Sequence, residues 1–98
     1  MSRLSKLAPK VGRTDFLLDC AKAALAEARA KHPHPLVDFN HLMGVLDEEI
    51  FEVRMEAYRK RVRTEAIQSE LLQTIAVCLR GLEDLTLKPQ PQPKEKNK

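Results

Sequence analysis

Four carboxylates, Asp47, Glu48, Glu49 and Glu52, crowd the stretch Leu46-Asp47-Glu48-Glu49-Ile50-Phe51-Glu52-Val53. The chemistry open to them depends on the face they occupy. At about 100° per residue of helix, Phe39, Met43, Leu46, Ile50, Val53 and Ala57 form one apolar seam, with Glu49 and Glu56 on its flank and Glu52 and Glu48 further round. Acids beside a buried seam must be paired, protonated or bound to a cation. Glu49 and Glu52, three apart, are the natural pair to share one. A second i, i+3 polar pair, Glu70 and Gln73, flanks the seam Ile67, Leu71, Ile75, Cys78 and Leu82. If the two segments pack antiparallel through a short Lys60–Arg63 connection, the two pairs converge on one site.

Three helices are expected to position these groups. The first runs from about Asp15 to Lys31, with Thr14 as its N-cap, acids near its start and Arg29 and Lys31 near its end, as the helix dipole prefers. Leu17, Ala21, Ala24 and Ala28 give it a seam of mainly small side chains, widened by Phe16, Cys20 and Leu25. His32-Pro33-His34-Pro35 ends it, because proline lacks an N–H and drives the preceding residue out of the helical region. Asp38 caps a second helix over about Phe39 to Arg59. The third spans about Thr64 to Leu85 and is apolar around most of its circumference. Its outer residues, Leu72, Ala76, Val77 and Leu79, need a partner, so a homodimer or homotetramer built as a helical bundle is expected.

The chain has 98 residues, four aromatics and no Trp, so it holds one small domain with an aliphatic core. Its net charge of +3 conceals an asymmetry: residues 1–13 carry +4 and residues 86–98 carry +3, which leaves residues 14–85 at −4. Basicity therefore belongs to the ends, read as a flexible basic arm over 1–13 and a disordered Pro/Lys-rich tail over 86–98. No specific nucleic-acid surface is expected on the helical domain, 14–85. Cys20 and Cys78 lie in apolar helical patterns without metal or redox spacing and read as reduced core residues of a cytoplasmic protein. No apolar run approaches the ~20 residues that span a bilayer. His32, His34 and His41 read as solvated or hydrogen-bonded side chains, and no Glu-x-x-His pair supports a di-iron bundle.

Glu48-Glu49-Ile50-Phe51-Glu52, followed after seventeen residues by Glu70-Leu71-Leu72-Gln73, resembles the EExxE…ExxD signature of the MazG-like, all-α nucleoside triphosphate pyrophosphohydrolases. The resemblance covers about residues 16–85. It implies an antiparallel helical hairpin braced by an N-terminal helix, with Glu49, Glu52 and Glu70 as ligands of Mg²⁺, or of Mn²⁺, and Glu48 orienting the attacking water. The substrate implied is a nucleoside triphosphate, cleaved to a monophosphate and pyrophosphate. Gln73 stands where the family has Asp, and its amide oxygen brings no charge to a hard cation that is held chiefly by carboxylates. Arg59, Lys60, Arg61 and Arg63, besides suiting the end of a helix, offer phosphate-binding groups close to the acidic site. The alternative is a non-catalytic helical oligomer of the same scaffold that binds nucleotides or acts as a regulatory protein.

Overall fold

The computed structural model describes residues 9–87, and of their side chains those from Arg13 onward. It is all-helical: α1 spans Pro9–Lys31, α2 Phe39–Ala57, α3 Thr64–Gly81, and one wide π-helical turn, Leu82–Thr86, follows. No strand occurs among the described residues. The arm expected over 1–13 is already helical from Pro9, so Thr14 lies inside α1 rather than at its cap. Proline is tolerated in the first helical turn, where its missing N–H would have no intrahelical partner. Residues 1–8 of that arm and 88–98 of the expected tail lie outside the described residues.

The α1–α2 connection forms as its residues dictate. Asp38 adopts extended backbone, and its carboxylate accepts the His41 N–H at 2.8 Å, which caps α2. The Val37 N–H in turn donates to His41 Nδ1 at 3.0 Å, so the ring serves the cap. At the other end α2 stops at Tyr58, and a short turn leads to α3 at Thr64. Helices α2 and α3 form an antiparallel hairpin. Leu42 near the start of α2 touches Gly81 at the end of α3, and Glu56 near the end of α2 bonds Arg63 just before α3. A Cβ on Gly81 would meet Leu42 Cδ2 at 2.8 Å, so the missing side chain permits this approach.

Helix α3 is the middle element, packed on α1 and on α2. The small-residue seam of α1 forms much as its spacing predicts: Ala21, Ala24 and Ala28 are buried, and Ala24 and Ala28 meet the fully buried Ala76. Alanine seams allow close helix approach but bury little area each, so the core is thin. Phe16 and Leu17 of the expected seam are exposed.

The faces of α2 and α3 differ from the expectation. In α3 the inward face carries Gln73, Ala76, Val77 and Arg80, whereas Leu71, Ile75, Cys78 and Leu82 of the expected seam are exposed. Ala76 and Val77, expected outside, are buried, and Leu72 packs against the core. In α2, Leu42, Val45, Leu46, Glu49, Val53 and Glu56 are half-buried, whereas Phe39, Met43 and Ile50 are exposed. Both helices are rolled so that Glu49 and Glu56 of α2 and Glu70 of α3 turn partly inward, while Glu48 and Glu52 stay exposed. Hydrophobic periodicity finds a face but cannot say whether that face meets the chain's own helices or stays outside. Cys20 is half-buried and Cys78 exposed, both as free thiols, so Cys78 is not a core residue. Among the described residues, no helix is long and apolar enough to cross a membrane.

Candidate metal centre

Rolling the hairpin inward lines up two polar rows. Helix α2 contributes Val45, Glu49 and Glu52, and α3 contributes Glu70, Gln73, Val77 and Arg80, each row on one helix face through steps of three and four. Ala28, Lys31 and His32 at the end of α1 close the third side of a cavity of about 300 Å³. Within it, one oxygen from each of Glu49, Glu52 and Glu70 lies within 4.8 Å of the others. The predicted convergence of the two acidic pairs is therefore present in the fold, and Gln73 lines the same cavity.

The electrostatics of the cluster follow from crowding like charges together, with Glu49 and Glu70 half-buried and Glu52 exposed. Burial pushes the Glu49 carboxyl above its usual range, and the neighbouring Glu52 and Glu48 push the same way, against a smaller opposing effect of His32. Glu70 is also raised, first by burial, then by a hydrogen bond with Glu52 and by the charges of Glu52, Glu49 and Glu56. Glu49 Oε1 is buried with no hydrogen-bond partner. An orphaned carboxylate oxygen inside a ring of three acids is what a bound cation would satisfy. Three carboxylates that each offer one oxygen form a set of donors that a hard divalent cation could use, and Gln73 lines the same cavity.

The other sequence candidates fall elsewhere. Glu48 is exposed and lines an adjoining pocket with His32, His34, His41, Glu49 and Arg80. Among the described residues no histidine joins a group able to hold a metal. Arg59, Lys60, Arg61 and Arg63 sit on the α2–α3 turn and do not line either pocket. Arg59 Nε and Arg63 Nη2 each lie 2.8 Å from the Glu56 carboxylate. These contacts, Arg63 first and then Arg59, hold Glu56 below the usual carboxylate range.

The cations that do face the cavity are Arg80 and Lys31, neither of which the motif reading singled out. The available signal was spacing: Glu70, Gln73, Val77 and Arg80 follow one another by three, four and three along one face of α3. A second missed element is the clasp at the far end. The π turn carries Asp84 to α1, where its carboxylate accepts from Arg29 Nη2 at 3.0 Å and Nη1 at 3.2 Å and from the Leu36 N–H at 2.9 Å. Arg29 Nη2 also lies 2.8 Å from Glu83. The clasp ties Arg29 and Leu36, which lie on either side of Lys31 and His32 in the chain, to the turn that follows α3.

Compared with protein-family models, curated proteins and solved structures, the chain matches none.

Proposed function

We propose that this chain is a divergent, short MazG-like nucleoside triphosphate pyrophosphohydrolase that uses Mg²⁺, or Mn²⁺, to cleave a nucleoside triphosphate to a monophosphate and pyrophosphate. The observation that carries the reading is the meeting of Glu49 and Glu52 from α2 with Glu70 from α3 in one cavity, at the places where the sequence resemblance puts metal ligands. Acids on exposed helices commonly serve as salt-bridge partners, yet none of these three has one among the described residues.

In this reading Glu49, Glu52 and Glu70 would hold the metal, and the Gln73 amide in the same cavity would offer a neutral oxygen. The ion, when bound, offsets the negative charge of the phosphates and lowers the pKa of water. The chain's own residues do the rest. Glu48, next to Glu49 on the wall of the adjoining pocket, takes the proton of the attacking water. Cationic side chains offset charge that develops on the leaving pyrophosphate. Two copies, or a dimer of dimers, cover the apolar faces that α2 and α3 leave exposed, and two free thiols suit a reducing, cytoplasmic setting.

Gln73 favours a second reading: the same cavity binds a metal–nucleotide complex without turnover, and the protein acts as a nucleotide-binding or regulatory oligomer. A panel of canonical and modified nucleoside triphosphates with Mg²⁺ or Mn²⁺, assayed for pyrophosphate release, separates the two. Release that requires metal supports the enzyme. Metal-dependent binding without release supports the regulatory reading, and neither binding nor release refutes both.

A further inference from the structure

Arg80 stands out among the described side chains. Only 4% exposed, it is the one charged residue among the buried ones described, and its Nε has no hydrogen-bond partner. A buried guanidinium N–H with no hydrogen-bond partner costs free energy that must be recovered elsewhere. Asp84, the acid whose charge it feels, is already taken by Arg29 and the Leu36 N–H. The three cavity carboxylates do not take it either: every ion pair between described residues involves Arg29, Arg59 or Arg63.

Two orphaned atoms of opposite charge character, Arg80 Nε and Glu49 Oε1, thus belong to residues on the wall of one cavity, with open space left for a ligand. The space is about 300 Å³, where a single water needs roughly 10–15 Å³ on a comparable measure. A metal ion alone would satisfy the carboxylates and add repulsion on Arg80. An anion alone would satisfy Arg80 and be repelled by the carboxylates. A ligand that carries a cation at one end and an anion at the other satisfies both.

We propose that Arg80, with Lys31 beside it, is the phosphate seat of this cavity, so that its ligand is a divalent metal–polyphosphate complex with the metal end on Glu49, Glu52 and Glu70. The inference deepens, and rests on, the metal reading given under Proposed function. A guanidinium suits the task because its planar fork meets two phosphate oxygens at once. It also moves the phosphate site away from the α2–α3 turn, where Glu56 already engages Arg59 and Arg63.

Isothermal titration calorimetry with Mg²⁺ alone, pyrophosphate alone and Mg²⁺–pyrophosphate tests the seat on the full chain and on Arg80→Met, Arg80→Lys, Lys31→Met and Arg61→Met. Arg80→Met is expected to weaken Mg²⁺–pyrophosphate about tenfold or more, the scale of a charge-assisted hydrogen bond, while Mg²⁺ alone binds as well or better. Arg80→Lys recovers part of the loss, Lys31→Met weakens binding about threefold, and Arg61→Met changes nothing. The proposal is overturned if a folded Arg80→Met binds Mg²⁺–pyrophosphate like the wild type, or if Arg61→Met is as damaging. Should Arg80→Met fail to fold, Lys31→Met and Arg80→Lys decide, and full affinity in both overturns it. Pyrophosphate binding that depends on Arg80 but gains nothing from Mg²⁺ keeps the seat and removes the metal reading. Mg²⁺ binding without any pyrophosphate binding keeps the metal and removes the seat, and no binding of either removes both.

Discussion

Glu49 of α2 and Glu70 of α3 bring carboxylate oxygens to within 4.8 Å of one another across the helical hairpin, with Glu52 completing the ring. Without a cation, like charges held this close, with Glu49 and Glu70 half-buried and Glu52 exposed, oppose folding. Glu70→Gln keeps the shape and lets an amide N–H donate to Glu52, and Glu49→Gln removes one repelling charge. Both single variants are expected to melt a few degrees higher than the wild type in EDTA at neutral pH, at about 4–8 °C per kcal/mol relieved. Millimolar Mg²⁺ is expected to raise the melting temperature of the wild type and not of either variant. Thermal scans with and without Mg²⁺ check both, and variants less stable than wild type in EDTA would mean that the carboxylates are already compensated.

The same cluster sets a pH dependence whose sign is fixed by its raised carboxyls. Glu49 and Glu70 hold protons more tightly folded than unfolded, so their contribution is fully present below the ordinary glutamate range, about 4.3, and is lost as pH rises through their folded values. The stability advantage of Glu49→Gln/Glu70→Gln over wild type is therefore small in acid and grows as pH rises through that interval. Mg²⁺ affinity of the wild type rises over the same interval, because the ligands must shed protons to bind metal. Urea titrations and calorimetry at a series of pH values measure the two effects, and a flat difference would remove the cluster as their source.

Asp84 works in the opposite sense. Its hydrogen bond from Arg29, and secondarily the bond from the Leu36 N–H, outweigh burial and hold the carboxyl low, so its contribution is present above the ordinary aspartate range and is lost in acid. Asp84→Asn gives up the ion pair with Arg29 and weakens the bond to the loop backbone. The expected cost is about 1–3 kcal/mol by urea denaturation at neutral pH, shrinking in acid. Equal stability at both pH values would show that the clasp does not hold α1 to α3.

The three helices, the Pro33–Pro35 break, the Asp38 cap and the meeting of Glu49, Glu52 and Glu70 were all legible in the sequence, because each rests on local chemistry or on spacing within one helix. The inward faces were not. Leu71, Ile75 and Leu82 make as good a seam as Gln73, Ala76, Val77 and Arg80, and ordinary reasoning prefers the apolar one. What reverses the choice is long-range: the alanine row of α1 needs a small partner and finds Ala76. Arg80 was hidden for the same reason, since a charge within an apolar run reads as solvated until the opposite face is known. The Arg29–Asp84 pair joins residues 55 apart through a π turn that no local pattern announces.

The exposed seam makes oligomerisation testable with corrected residues. Leu71 and Ile75, 46% and 44% exposed, lie on the α3 face opposite Gln73 and Val77, and Met43 and Ile50 of α2 are also exposed. A second copy is the expected cover for this face. Leu71→Lys/Ile75→Lys should convert a dimer or tetramer to monomers in sedimentation at micromolar concentration while helicity by circular dichroism is kept. A wild type that already sediments as a monomer would refute the assembly.

Gln73 lines the cavity between Glu70 and Val77 and carries no charge where the resembled family carries Asp. Two effects compete at that position. An added carboxylate strengthens the pull on a hard cation, whose affinity grows with summed ligand charge. It also raises repulsion within a cluster already strained enough to lift Glu49 and Glu70, and Asp, one methylene shorter than Gln, reaches less far. With metal present the first effect wins, because the cation offsets the new charge, and without metal only the second remains. Gln73→Asp is therefore expected to lower stability in EDTA, to tighten Mg²⁺ binding about tenfold by calorimetry, and to raise pyrophosphate release. Loss of stability in EDTA without any gain in Mg²⁺ affinity would mean that the position does not reach the metal. A gain in affinity without pyrophosphate release from any nucleoside triphosphate would leave a metal–nucleotide binding protein as the reading that survives.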